Sequence, residues 1–571
     1  MNIKHKTLGV VMLSLLPLSL SAQSEMEAFR LSSPYDPMGS ARFAALSGAM
    51  GAVGSDVSSL VRNPAGIALF RGSNRLSLTL GGGWGVDKGS WYGSSSAQEL
   101  KSKFLFEEFS YQAGTNRATR GPVSFAFSIR NAGRFDRELH ASATLPQEGN
   151  YSSLADFAAG RTNNAYYDNI RRDEVGQYFS KNYLTSTAAF RNDYVPFLSI
   201  LGAGAGWIDL DKQSKSYHSA YLYRSAPDGT PYKTPSIGLP DNADLILREK
   251  GSITDYDIAF GLEANEALHF GAALTLSSLD YELSSFYQER FRENNSLALQ
   301  NTKSISGFGG RLGLGFLYEP TDGLRLGASI YTPTFYTMKM DFQAHSEGRY
   351  DRKLGEVSTP KEAATSYKLR GPWHFGLSGA YFIGRYGFLS ADYTYTGESL
   401  RLSNNTYNED YDSDTGFEED NAHLKANFGG IHSLRLGAEV MLGSRVALRA
   451  GYRYSSSPIK NERLKGTTVT TEAFVSGPAV HYTLPDNLNS YSLGAGFRLT
   501  PSLSLDVAYV YTQTSARTFA FPTLNDYGPY LNATTKQLEH KEVQATELVG
   551  MEGIKETNLR HKAVATLSLR F

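Results

Sequence analysis

A period of two governs the end of this chain and sets what it can fold into. Ala563, Ala565, Leu567, Leu569 and Phe571 are apolar, while the alternates run Lys562, Val564, Thr566, Ser568 and Arg570. Such alternation describes a strand with one face in an apolar medium and one in a polar medium. The pattern recurs in fourteen candidate strands, the first at 74–86 and the last at 560–571. Their apolar faces include Leu324/Leu326/Ala328/Ile330, Trp373/Phe375/Leu377, Leu434/Leu436/Ala438/Val440/Leu442 and Leu503/Leu505/Val507/Tyr509/Tyr511, with no charge among them. The opposite faces hold Arg311, Arg325, Asp392, Arg435, Glu439, Arg449, Arg453, Arg498 and Asp506. A basic residue facing lipid at the bilayer midplane costs ~2–4 kcal/mol, so one-sided placement is what a lipid-facing wall requires.

The connections alternate in length. Short ones at 263–267, 319–323, 384–386, 443–444 and 500–501 are interleaved with long polar ones such as 403–430, 457–489 and 515–559. A transmembrane barrel has short turns on one rim and long loops on the other. The fold class expected is therefore all-β, a 14-stranded antiparallel transmembrane β-barrel whose listed charges line the lumen. The outward pairs Tyr393/Tyr395, Tyr452/Tyr454 and Tyr509/Tyr511 each lead into a long loop, which predicts an aromatic girdle at one membrane interface.

Composition is consistent with this and removes several alternatives. A mean hydropathy of -0.33 excludes a polytopic helical membrane protein. No stretch beyond the N-terminus approaches the ~20 consecutive apolar residues of a spanning helix. The formal net charge of -1 gives no electrostatic case for nucleic acid. The absence of cysteine removes disulfides and thiol chemistry.

Residues 1–22 read as an export signal, with Lys4 and Lys6 ahead of the apolar stretch Leu8–Leu20 and the small residues Ser21-Ala22. Residues 23–73 lack strand alternation and are expected to form a compact hatch inside the barrel. There Asn63 can cap a helical turn with Pro64 at its first position, where no N–H is needed. The connection at about 135–249 exceeds one hundred residues and reads as a long extracellular insertion. It carries the apolar run containing Phe197, Leu198, Ile200, Leu201 and Trp207. Two readings stand for that run: an outer apolar site that collects greasy solutes, or a lid packed on neighbouring loops.

With its small-residue stretch, the segment Arg62-Asn63-Pro64-Ala65-Gly66 and a terminal Phe571, the chain resembles the FadL/TodX family of outer-membrane transporters for hydrophobic compounds. Leu369-Arg370-Gly371-Pro372-Trp373 and Tyr331-Thr332-Pro333-Thr334-Phe335 are similar to segments of its long Bacteroidetes members. The resemblance implies an outer-membrane location and a lumen plugged by the hatch, with Asn63, Pro64 and Ala65 as hatch residues. It further implies passive uptake of long-chain fatty acids or aromatic hydrocarbons, with lateral release into the membrane past a kinked early strand. Leu567, Leu569 and Phe571 match a barrel-closing signal of the kind read by the barrel assembly machinery. The expected partners are the hydrophobic substrate and outer-membrane lipid, with no nucleic acid and a monomeric barrel. Family members that shuttle or assist secreted proteins, and heme uptake, supply the alternatives.

No catalytic residue, metal site or cofactor is expected. Gly48-x-x-Gly51-x-x-Gly54 and Gly202-x-Gly204-x-Gly206 join no strand to a helix and so make no nucleotide fingerprint. The histidines show no ligand spacing, and His269 and His374 read as lumen-facing polar residues.

Overall fold

The computed structural model describes residues 25–32, 39–70, 72–115, 123–146, 153–169, 179–192, 195–211, 216–221, 237–350, 352–360, 364–404, 417–465, 477, 479–522, 530–531, 538–539 and 551–571. The export signal expected at 1–22 lies outside them.

The wall consists of fourteen strands in chain order, each antiparallel to the next. They are β1 Asn74–Trp91, β2 Ser94–Gly114, β3 Val123–Arg134 continued by Arg137–Thr144, β4 Asn242–Glu263, β5 Leu268–Arg290, β6 Ser296–Thr321 and β7 Leu324–Tyr331 continued by Phe335–Tyr350. The second half comprises β8 Ala364–Arg370 continued by His374–Phe382, β9 Gly387–Thr396 continued by Arg401–Asn404, β10 Ile431–Leu442, β11 Val446–Ser455, β12 Tyr482–Arg498, β13 Leu503–Phe519 and β14 Ile554–Arg570. β14 pairs with β1 from Arg570 opposite Arg75 to Lys555 opposite Ser90, which closes the barrel. Leu567 and Leu569 stand opposite Leu78 and Leu76, and the Phe571 N–H donates to the Asn74 carbonyl at 3.0 Å. Closure removes the free edges of the first and last strands, where an unpaired backbone group facing lipid would cost several kcal/mol.

The two faces separate as lipid on one side and an enclosed interior on the other demand. Leu377 and Leu493 are 63% and 64% exposed on the outside, whereas Asp392 and Arg435 are each 2% exposed on the inside. At the rim leading to the long loops the outward aromatics form a continuous row. Tyr452, Tyr491, Tyr511, His561 and Trp84 are successive cross-strand partners, with ring centroids 5.2, 6.4, 5.2 and 5.6 Å apart. Such a belt sits where amphipathic rings bridge acyl chains and headgroups.

The strands run further outward than the apolar alternation predicts. β1 reaches Trp91 rather than residue 86, and β6 begins at Ser296 rather than 304. Above the girdle the outer face meets water, so the alternation fades while the ladder continues. The insertion expected over about 135–249 is correspondingly shorter. Arg137–Thr144 pairs with Glu249–Asn242 as wall, leaving 145–241 as the loop.

That loop and its neighbours fill the outer mouth with a hydrophobic core. Helices α3 (Leu154–Asn169) and α4 (Phe197–Ala205) pack against the inner faces of the tall strands. Phe197 meets the Phe342 ring edge-on at 5.3 Å, and the Trp207 indole donates to the Glu347 carbonyl at 2.8 Å. Phe197 and Leu198 are 8% and 3% exposed, Ile200 is 1%, and Leu201 and Trp207 are 0%. The expectation of an open outer apolar site at these residues is thereby corrected. An apolar helix lying over a barrel mouth finds strand side chains to pack on, and the run is core.

Candidate transport path

The hatch occupies the short-turn half of the lumen. Ser40 caps α2 (Ala41–Ala45), and Asp56 and Asn63 cap the two 3-10 turns Val57–Val61 and Pro64–Leu69. Asn63 is fully buried and acts in two directions. Its Oδ1 accepts from the Ala65 N–H at 3.0 Å, and its Nδ2 donates to the Phe316 carbonyl of β6 at 3.0 Å. Pro64 and Ala65 lie flat on the wall because the strands beneath lack side chains there. Gly261, Gly271 and Gly315 are cross-strand partners on β4, β5 and β6. A Cβ on Gly271 would come within 2.2 Å of the Pro64 carbonyl carbon, and one on Gly315 within 2.1 Å of Asn63 Oδ1. The three glycines are a shelf cut for the motif.

Around the rest of its perimeter polar contacts join small apolar clusters such as Phe43, Leu46 and Met50 with Ala380 and Phe388. The Ala41 N–H donates to Thr566 at 2.7 Å, the Gly51 N–H to Asp392 at 2.8 Å, and Ser47 meets Ser492 at 2.7 Å. Several lumenal charges expected from the sequence serve this interface. Arg42 of α2 reaches Glu439 at 3.1 Å, Glu439 accepts from Arg449 at 2.6 Å, and Arg449 reaches Asp506 at 2.5 Å. Arg325 donates to the Val53 carbonyl at 3.1 Å and lies 2.9 Å from Glu319. Arg311 pairs with Asp255 at 3.3 Å, Arg435 donates to Thr394 at 2.8 Å, and Arg453 to Ser455 at 3.2 Å. Arg498 departs from the expectation. It is exposed at the short-turn rim, at the last position of β12 where the lumen ends.

Above the hatch lies a cavity of about 150 Å³, bounded by Arg62, Arg311, Tyr331, His374, Arg435 and Arg453 among others. Helix α1 (Glu25–Ser32) stacks Phe29 on Phe428 at 4.7 Å and sets Glu27 against Lys303 at 2.6 Å, within the outer core.

One seam of the wall is unlike the others. β2 pairs with β3 only from Glu108 opposite Arg130 to Gly114 opposite Ser124, whereas β1 pairs with β2 from Asn74 up to Trp91. β3 is bulged between Asn131 and Gly133 and breaks before Arg137. Beyond Glu108 the seam is bridged by side chains. Lys103 meets Asp136 at 2.5 Å, Arg134 donates to the Phe106 carbonyl at 3.2 Å, and Asp87 accepts from the Glu138 N–H at 2.8 Å. A cavity of about 190 Å³ lies along this seam, lined by Trp84, Leu105, Arg134, Thr512 and His561 among others. On the lipid side Phe104 is 75% exposed.

The family model for outer membrane protein transport proteins (OMPP1/FadL/TodX) matches residues 255–540. The chain belongs to this family. As an OMPP1/FadL/TodX protein it resides in the outer membrane, which puts the short-turn rim in the periplasm and the capped rim outside. Solved structures of similar fold include a Pseudomonas aeruginosa FadL homologue, 11% identical with a TM-score of 0.45, covering 94% of this chain and 99% of that one. The P. putida toluene transporter TodX is 12% identical and the Ralstonia pickettii toluene transporter TbuX 11%, each with a TM-score of 0.44 and the same coverage. Curated protein sequences give no match. Two features of this FadL/TodX barrel escape sequence reading: the glycine shelf, whose only signal is glycine at inward positions of three strands, and the unpaired seam.

Proposed function

We propose that this barrel is a passive channel for small hydrophobic compounds, fatty acids or aromatic hydrocarbons. They enter from outside, pause above the hatch and leave sideways into the membrane through the β2–β3 seam. The sugar layer of the outer leaflet stops such solutes, while the hydrocarbon beneath it does not. A protein therefore need only carry them past that layer, and no energy source is required when a later step consumes them. The observation that carries this reading is the seam above Glu108–Arg130, where side chains stand in place of a backbone ladder. Separating a few exposed ion pairs costs little, since each contributes about 0–1 kcal/mol. Opening a laddered seam in lipid would instead leave backbone groups unsatisfied at several kcal/mol each. The hatch blocks the straight route to the periplasm and so favours the lateral one. The barrel acts as a monomer in this scheme, inserted by the assembly machinery.

The chain has no cysteine, so a cross-link can be placed cleanly. Lys103→Cys with Asp136→Cys, joined by a short reducible bis-maleimide, should lower uptake of both a fatty acid and toluene several-fold, with recovery on cleavage. Uptake that persists through the closed cross-link would rule out lateral release at this seam.

A further inference from the structure

We propose that the outer face of the tall strands β4–β7 holds a saccharide groove, which docks the sugar headgroup of a glycolipid from the surrounding outer leaflet. Above the apolar belt these strands set out two ranks of direct cross-strand partners. One runs Lys250, Glu282, Ser304 and Asp341 across β4, β5, β6 and β7. The next rank outward runs Arg248, Ser284, Thr302 and Gln343. All eight are exposed, while their chain neighbours Glu249, Leu283, Lys303 and Phe342 point into the barrel and are buried. The middle of the two ranks is short and the flanks are long. Hydroxyls on β5 and β6 form a floor, with Arg248, Lys250 and Glu282 standing on one side of it and Asp341 and Gln343 on the other. The cavity so formed measures about 410 Å³, more than twice the one along the seam.

The lining selects the occupant. None of the eight side chains is apolar, whereas a stable protein interface buries an apolar centre. Carboxylates and the Gln343 carbonyl can accept from sugar hydroxyls, while the cations and the floor hydroxyls can donate to them. Bonds with one charged partner are about twice as strong as neutral ones, so a polyhydroxylated ligand gains most from such walls. Arg248 lies 2.5 Å from Glu138 of β3, and Asp341 lies 3.7 Å from Lys339. Arg248 and Lys250 share the outer face of β4, two positions apart, and suit a phosphate carried on the same headgroup.

The strand beneath the floor supplies the lipid anchor. On its outer face β6 reads Thr302, Ser304 and Ser306, then Phe308, Leu312 and Leu314, all exposed. At ~3.3 Å per residue the hydroxyl stretch spans about 13 Å and ends directly above the aromatic belt. A molecule lying along this one strand meets hydroxyls at its outer end and acyl-facing side chains at its inner end, which is the polarity of a glycolipid. The inner faces of the tall strands carry the cap, which accounts for their height and not for the relief on their outer faces. Across the barrel, by contrast, β11 ends at Ser455, one residue past Tyr454 of the girdle. The groove stands independently of what the channel carries and of how it releases it.

The test uses the absence of cysteine from the chain. A Ser304→Cys barrel, held in a polyoxyethylene detergent that brings no sugar, is labelled with a water-soluble maleimide while rough lipopolysaccharide or phosphatidylglycerol is titrated in. Lipopolysaccharide should slow labelling several-fold and in a saturable way, and phosphatidylglycerol should not. Gln513→Cys on the outer face of β13, seven strands away and two residues above Tyr511, should label at one rate throughout. Adding Glu282→Gln and Asp341→Asn to the Ser304→Cys barrel should raise the half-saturating lipopolysaccharide concentration about tenfold or more, as loss of a charged hydrogen bond requires. Heat-dependent gel mobility reports that each variant barrel is folded. No slowing, equal slowing by phosphatidylglycerol, equal slowing at position 513, or an unaltered half-saturation without the two carboxylates would overturn the proposal.

Discussion

The two obstructions in this lumen differ in how far each relies on apolar packing. The outer cap is a hydrophobic core, with α3, α4, α1 and the inner faces of the tall strands packed around Trp207, Tyr221 and Leu201. The hatch below is held at its edges by polar contacts to Thr566, Glu439, Ser492, Asp392 and Phe316, with small apolar clusters beneath. Each large apolar side chain buried in the cap contributes about 1.5–3 kcal/mol and loses it only if the neighbours separate. Each lumenal hydrogen bond contributes about 0.5–1.5 kcal/mol net, and water can replace it with no cavity left behind. The hatch's hold on the wall is therefore mixed, polar contacts joined by the packing of Phe43, Leu46 and Met50 near Leu317, Ala380 and Phe388, while that of the cap is mainly apolar.

Removing residues 23–73 should have the largest effect. The barrel should still show heat-dependent gel mobility, while single-channel conductance rises from near closed to that of an open pore. Unchanged conductance would mean that the cap alone seals the lumen. Gly315→Val tests the hatch alone, since its side chain would collide with Asn63 and Pro64. Overpacking of this kind costs about 1–3 kcal/mol, and here it should lift the hatch and raise conductance without altering the melting of the wall. Trp207→Ala should act on the other obstruction. A cavity of that size costs about 3–5 kcal/mol, to be read as faster proteolysis of the outer loops with hatch exchange unchanged.

The smallest effect is a pH dependence confined to the cap. Burial pushes the Asp156 carboxyl at the start of α3 up to about 6, although it accepts from the Ser153 N–H at 2.8 Å. Its folded form thus holds a proton more tightly than the unfolded chain does. That contribution is complete below the unfolded carboxylate range near 4 and is lost as pH rises through about 6. Proteolysis of the outer loops should quicken slightly over that interval in the native chain and not in Asp156→Asn.

The legible parts of this molecule are those encoded locally. Alternation in β10 to β13 reveals the wall because lipid tolerates no charge on that face. The cap at Asn63-Pro64 is visible because its hydrogen bond spans two residues. What stays hidden depends on register. Gly261, Gly271 and Gly315 are unremarkable in sequence and become a shelf only when three strands align. Arg42 and Glu439 are 397 positions apart, and nothing local pairs them. The apolar run at 197–207 was equally ambiguous, since a foothold for solutes and a core helix share one composition until the packing partner, Phe342 of β7, is in place.

The placement of α1 bears on how the barrel is made. Phe29 sits among cap side chains while residues 39–70 lie far below it, and the first and last strands zip together around both. An arm arriving after that zip had closed would have to push an aromatic ring upward past Arg62, Arg435 and Arg453 and into an already packed roof. Biogenesis is therefore expected to wrap the wall about a pre-threaded N-terminal arm, with the β14–β1 weld as its final stitch.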